Sequence, residues 1–357
     1  MDLNSLGWNE AREREFASFR AQGLVAARVV VEDKHHFTVL SEHGDLAGVV
    51  AGRLLHEATS TAALPKVGDW VAIAPLLNER KAVIQQVLSR STKLSRKVPG
   101  RETEEQVLVT NVDVAFVVQA LDGSFNARRL QRHLVTVHES GAIPVVLLNK
   151  ADLCEQLDAA AAEARAAAGG ATVIVVSALT QMGMASLESH VPAAQTAVFI
   201  GSSGVGKSSL INALYGEDLQ HTLEVREDDH KGRHATTCRE LILLRNGGMV
   251  IDTPGTREFH LWTAEEGINE TFPEIDDLAG KCRFRDCRHM VEKGCAVLAA
   301  VTAGSIRRER YDNYVKLTLE VDQLASAQNK HAYHEKQRLT RVAQRAFNRL
   351  KHGREDG

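Results

Sequence analysis

Gly201-Ser202-Ser203-Gly204-Val205-Gly206-Lys207-Ser208-Ser209 is the stretch on which the fold turns. Four residues separate its first glycine from Gly206-Lys207-Ser208, the spacing of a phosphate-binding loop. Apolar residues 197–200 read as a strand before it, and 207–215 read as a helix after it, closed by Gly216. Strand, loop and helix in that order are the context such a loop needs. Glycines let backbone N–H groups close around phosphate oxygens, and the helix N-terminus adds partial positive charge. Lys207 would then reach the β and γ phosphates, and the Ser208 hydroxyl would ligate Mg²⁺. A glycine-rich loop arising by chance would lack the flanking strand and helix.

Three more segments follow predicted strands. Asn149-Lys150-Ala151-Asp152 comes directly after a strand over 143–148. A carboxylate at Asp152 can accept from both N1–H and N2–H₂ of guanine, a pair adenine does not offer. Asn149 and Lys150 would brace the loop and stack on the base. Taken alone, the tetrapeptide is equally well explained by an aspartate capping a helix. Ser177-Ala178-Leu179 follows a strand over 172–176 and could present a backbone N–H to the guanine O6. Asp252-Thr253-Pro254-Gly255 follows a strand over 249–251. There Asp252 can hold Mg²⁺ through water, and the Gly255 N–H can sense a γ-phosphate. Ligands of open α/β sheets bind outside the carboxyl ends of the strands. Four strands ending in four phosphate- or guanine-reading segments imply GTP.

The chain around these segments has 357 residues, enough for two or three domains. With 44% hydrophobic and 25% charged residues it reads as globular. No apolar run approaches the roughly 18 residues of a membrane span. The start, Met1-Asp2-Leu3-Asn4, lacks a basic-then-apolar export signal, so a cytoplasmic protein without a membrane partner is expected. Net charge is 43 − 46 = −3, which argues against a simple nucleic-acid coat. The average hides an asymmetry: seven Lys/Arg and one Glu over 330–352 make that stretch +6 and the remainder −9.

Residues 1–21 read as a polar helical arm. Five short strands over 25–31, 37–40, 46–51, 70–73 and 82–88 suggest a small barrel across 22–90. An oligonucleotide/oligosaccharide-binding (OB) barrel is one candidate; an SH3-like barrel or a plain structural sheet stays open. Residues 89–101 carry five basic residues and no acid, with Pro99-Gly100 inside, and a basic linker over 91–105 is expected. From 106 to 260 strands at 112–119, 143–148, 172–176 and 197–200 alternate with helices at 127–139, 156–168, 183–190 and 207–215. That alternation implies a parallel sheet covered on both faces. Strands 241–244 and 249–251 flank Asn246-Gly247-Gly248 as a hairpin, and 261–357 reads as a helical C-terminal domain.

That last domain holds three of the five cysteines within fourteen residues, as Cys282-x₄-Cys287-x-His289-x₅-Cys295. Three thiolates and one imidazole with no obvious open position are the make-up of a structural zinc site, one ion per chain. Three cysteines buried in a small helical core are the plainer account. Lys281, Arg283, Phe284, Arg285 and Arg288 make a poor core, however. Residues 331–352 form an amphipathic helix, with Leu339, Val342, Ala346 and Leu350 on one stripe. Arg338, Arg341, Arg345 and Arg349 form a second stripe, readable as a solvated face or as a contact for RNA phosphates.

The guanine-reading pair precedes the phosphate loop, so the sheet is circularly permuted. With a small β domain in front and a cysteine cluster behind, the chain resembles the RsgA family, circularly permuted GTPases of small ribosomal subunit biogenesis. The resemblance spans roughly residues 20–350. It also rests on Gly232-Arg233-His234-Ala235-Thr236-Thr237, within which Thr236 or Thr237 would complete the Mg²⁺ site. It implies an OB-fold domain, Zn²⁺ and Mg²⁺ as cofactors, and hydrolysis of GTP to GDP stimulated by the small subunit and its rRNA. A monomer acting late in subunit maturation is expected. Ala235 interrupts the family's threonine run, and Thr256 stands where the family tends to have an apolar residue. Many GTPases place a glutamine after Asp-x-x-Gly to orient the attacking water, and Thr256 is too short for that task. His234 is the internal candidate for it. An alternative function is an RNA-binding regulatory module that uses GTP as a switch with negligible turnover. An ATPase or small-metabolite kinase is a third, against which Asp152 argues.

Overall fold

The structure is a computed structural model describing residues 2–33, 36–98, 101–216, 239–253 and 264–328. Helix α1 (Glu10–Arg20) starts at Asn9, whose side chain accepts the Arg12 N–H. The expected accessory arm is instead packed into the protein. Leu6 and Phe16 are fully buried, and the Trp8 ring stands edge-on to Phe16 at 5.7 Å and to Trp70 at 4.8 Å. Its charged residues hide these few large apolar anchors in the sequence.

Strands β1 (Val25–Asp33), β2 (His36–Ser41), β3 (Gly44–Val50), β4 (Trp70–Leu76) and β5 (Lys81–Val87) run in the order β1-β2-β3-β5-β4. Pairing of β1 with β4 closes the ring. The β3–β5 pair is parallel, and α2 (Gly52–Glu57) lies between β3 and β4 in the chain. This is the OB-like arrangement. Val29, Phe37, Val39, Leu46, Val71, Ile73 and Ile84 alternate inward to fill it.

The expected linker is a second difference. Strands β6 (Lys93–Val98) and β7 (Arg101–Thr110) form an antiparallel ribbon. Its basic residues mask a strand pattern in which Leu94, Val107 and Val109 are buried.

The remaining strands are β8 (Val114–Ala120), β9 (Ile143–Asn149), β10 (Thr172–Val175), β11 (Thr196–Ile200), β12 (Arg239–Leu243) and β13 (Met249–Asp252). They order as β10-β9-β8-β11-β13-β12, parallel except for the β12–β13 hairpin. All seven residues of β8 are buried, as a central strand covered on both faces requires. Helices α3 (Ala127–Ser140) and α4 (Leu157–Ala167) cover one face; α5 (Met184–Glu188) and α6 (Lys207–Tyr215) cover the other. Strand β12 also pairs with β1, Val31 opposite Glu240, so barrel and α/β domain share one sheet.

Helices Glu265–Thr271, Pro273–Ala279 and Ala296–Thr302, with helical residues 308–328, build the C-terminal region around Phe272, Ile275, Val297 and Leu317. It docks on α3. At Gly267 a Cβ would lie 2.2 Å from the Val135 carbonyl oxygen, so only glycine permits this approach. Arg132 grips Glu320 through two bonds of 2.7 and 2.6 Å. Among the described residues no helix is long and apolar enough to cross a membrane.

Candidate functional site

Parallel strands β8, β9, β10, β11 and β13 end at one edge of the sheet, and the described residues at 149–152, 177–179, 201–209 and 252–253 follow those strand ends. Gly201–Lys207 bridges β11 and α6. At Gly206, φ is +92°, and a Cβ would stand 2.3 Å from the Asn149 amide nitrogen. Close approach by Asn149 therefore requires glycine there. The Asn149 Nδ2 donates to the Val205 carbonyl at 2.8 Å, and its Oδ1 accepts the Ala178 N–H at 3.4 Å. One buried amide thus ties the loop after β11 to the loops after β9 and β10.

The Lys207 ammonium donates to the Gly201 and Ser202 carbonyls at 2.8 and 3.0 Å. Burial lowers its pKa and raises that of Asp252, and the attraction between the two opposes both shifts. Ser203, Gly204, Ser208 and Ser209 are exposed along the loop and first turn of α6. A phosphate could therefore approach a cradle with its lysine already in place.

Beyond β10, Ser177 donates its hydroxyl to Asp152, which follows β9, and accepts the Thr180 N–H at 3.1 Å. The aspartate carboxylate is oriented by a serine that is itself fully buried. Ala151 is buried and donates its N–H to Val176 at 3.2 Å, joining the two loops by backbone. Lys150 adopts φ +61° and pairs with Asp122 at 2.7 Å. Bonds from Lys150 and Ser124 hold the Asp122 carboxyl down to about 2. In the sequence the only sign of Asp122 is an Asp-Gly-Ser turn closely following a buried strand.

His234, Thr236, Thr237, Gly255, Thr256 and the basic stripe of 331–352 lie outside the described residues.

Some distance along the chain, Cys282, Cys287, His289 and Cys295 converge, each pair of potential ligand atoms lying within 4.8 Å. The Cys282 and Cys295 sulfurs are 3.8 Å apart, and each is 3.5 Å from the His289 Nδ1. Tetrahedral zinc ligands at about 2.3 Å (sulfur) and 2.0–2.1 Å (nitrogen) stand about 3.8 Å apart S to S and about 3.5 Å S to N. Backbone N–H groups of Ala296 and Leu298 point at the Cys282 and Cys295 sulfurs at 3.4 Å, as thiolates favour. These four residues could hold a metal ion.

A family model described as RsgA GTPase matches residues 87–262, and one described as 50S ribosome-binding GTPase matches 196–330. The small ribosomal subunit biogenesis GTPase RsgA of Opitutus terrae is 44% identical over 330 residues, covering 90% of each chain. Among solved structures, YjeQ from Thermotoga maritima superposes with a TM-score of 0.63 at 28% identity. That match covers 84% of this chain and 98% of the other. YloQ, described as a circularly permuted GTPase, gives 0.60 at 27% identity, covering 84% and 96%. The phosphate-loop strand β11 follows β8, β9 and β10 in the chain yet sits between β8 and β13, as circular permutation demands. By fold, by strand order and by identity along nine-tenths of its length, this chain belongs to the RsgA family of circularly permuted GTPases.

Proposed function

We propose that this GTPase binds the small ribosomal subunit, acts late in its maturation, and hydrolyses GTP faster when bound there. The observation that carries the nucleotide half is the Asn149 bridge between Val205 and Ala178. It makes the base loops and the phosphate loop one rigid receptor. Asp152 and the Ala178 N–H read guanine, Lys150 flanks the base, and Gly201–Lys207 with Ser208 and Ser209 hold the phosphates. Mg²⁺ would neutralise charge on the β and γ phosphates, held by Ser208, by Asp252 through water, and by Thr236 or Thr237. In hydrolysis water adds to the γ-phosphorus as the bond to the β–γ bridging oxygen breaks. Thr256 is too short to orient that water, and His234 is assigned the task.

The small subunit is favoured as partner because the relative named for it aligns along 90% of both chains. The model described by 50S binding covers only the phosphate loop onward. The four-residue metal site is assigned one structural Zn²⁺, whose distances it fits. Its exposed Phe284 and neighbours Lys281, Arg283, Arg285 and Arg288 suit contact with rRNA, as does the barrel.

Multiple-turnover GTP hydrolysis, measured with and without purified small and large subunits, tests this. Small subunits should raise turnover well above the free rate, and His234→Ala should lose most of that gain while keeping GTP affinity. Equal stimulation of variant and parent would remove His234 from the mechanism. No stimulation by small subunits, or stimulation by large subunits alone, would overturn the partner.

A further inference from the structure

Glu292 lies within the metal loop without being one of its ligand candidates. One carboxylate oxygen accepts the Arg288 N–H at 2.9 Å; the other accepts those of Met290 and Val291 at 2.8 and 2.9 Å. These amides bracket His289 on both sides in the chain. The buried Tyr311 donates its hydroxyl to the His289 carbonyl at 2.7 Å. His289 itself has φ +59°, a left-handed conformation that residues other than glycine seldom adopt. Such backbone persists only where its surroundings over-determine it. Here the surroundings are one carboxylate and one phenol.

We propose that Glu292, with Tyr311, is a positioning residue of the metal site, holding the 288–291 backbone so that the His289 Nδ1 meets the cysteine sulfurs. The proposal rests on the zinc reading above. Three N–H groups converge on two oxygens, a demand that suits a carboxylate. Glutamine offers one acceptor oxygen and would turn an NH₂ towards at least one amide. Releasing those amides frees His289 to relax towards ordinary backbone, which turns its imidazole away from the sulfurs. Such partners of metal ligands typically change metal affinity by about 10–100-fold when lost.

The full-length protein, Glu292→Gln and Tyr311→Phe are each loaded with zinc, and release to an excess of a chromogenic chelator is followed. Cobalt substitution then reports the ligand set through its visible absorption. The parent should carry one zinc per chain. Glu292→Gln should release zinc about 10–100-fold faster and Tyr311→Phe severalfold faster, while the cobalt spectrum keeps its thiolate bands and basal GTP hydrolysis is unchanged. Zinc in the parent with unaltered release from both variants would overturn the positioning role alone. Absence of zinc from the parent would overturn the metal reading itself. Should Glu292→Gln fail to fold, Tyr311→Phe decides: faster release supports the proposal and parental release defeats it.

Discussion

Asp152 and Lys207 are the two side chains on which nucleotide choice and affinity should turn. The Ser177 hydroxyl bond leaves the Asp152 carboxylate oriented and solvent-facing, free to accept from guanine. In Asp152→Asn one acceptor becomes a donor, which suits xanthine better than guanine. Preference for GTP over xanthosine triphosphate should fall by about a hundredfold or more, read by competition binding. Lys207→Ala removes the charge proposed to meet the β and γ phosphates, and tight triphosphate binding should disappear. Normal GTP affinity in that variant would defeat the phosphate-loop assignment. His133 on α3 governs a different property. Burial, reinforced by Arg129, Lys207 and Arg132, pushes its pKa down to about 4. An unfolded histidine titrates near 6.5, so between about 6.5 and 4 the unfolded chain binds the extra proton. Stability contributed by keeping this ring neutral is complete above about 6.5 and is lost as pH falls through that window, by about 3 kcal/mol. Urea midpoints of the parent should drop more steeply from pH 7 to 4.5 than those of His133→Asn. Parallel profiles would show that His133 does not set the acid limit.

Among the elements, the C-terminal helices depend most on one small site. Cys295 belongs to their buried core, and Cys282 and Cys287 pack against it. Because metal binding energy is folding energy, chelation should melt the packing of residues 264–328 while the sheet survives. Hydrogen exchange before and after chelation checks this: protection should vanish from 308–328 and persist in β8 and β9. The β6–β7 ribbon shows why one element was hard to read. Its basic residues and Pro99-Gly100 look like connector chemistry, and only the cover over Leu94 and Val107 makes the alternation meaningful. The phosphate-loop strand and helix were legible because their signal is local: a glycine spacing between an apolar run and a helix-forming run.

At the scale of the molecule, barrel and α/β domain are joined by sheet and by a buried guanidinium. Arg28 of β1 is 2% exposed and donates to the Asn111 carbonyl at 3.1 Å and the Thr196 hydroxyl at 2.9 Å, and also to the Leu6 and Gly68 carbonyls. Burial lowers its pKa to about 10, still far above neutrality. Arg28→Met would strand acceptors at four places in the chain and should cost at least about 3 kcal/mol. Urea unfolding followed by tryptophan fluorescence should show the loss; an unchanged midpoint would mean that the guanidinium is not needed to join the domains. A second tie crosses the β1–β12 pair, where Glu32 meets Lys66 at 2.5 Å and Arg239 at 3.4 Å. Strand β12 begins directly after the 217–238 segment, so the barrel is hydrogen-bonded to the chain that leaves this segment.

Sequence alone determined the glycine-rich strand–loop–helix, the permuted order of the strand-end segments, the five barrel strands and the clustering of four residues that could hold a metal ion. Each is a matter of residue type at short spacing, and short-range sterics and hydrogen-bonding capacity decide it. Tertiary structure alone decided that Asn149 ties two loops together, that Asp122 holds Lys150, and that Glu292 brackets His289. It also decided that Arg28 sits between the domains and that the N-terminal helix is core. The first and the last two join residues distant in the chain. Asp122 reaches Lys150 across adjacent parallel strands, and Glu292 reaches its amides in a loop where His289 takes left-handed backbone. Those relations exist only once strands lie side by side and water has been excluded, which local pattern does not encode.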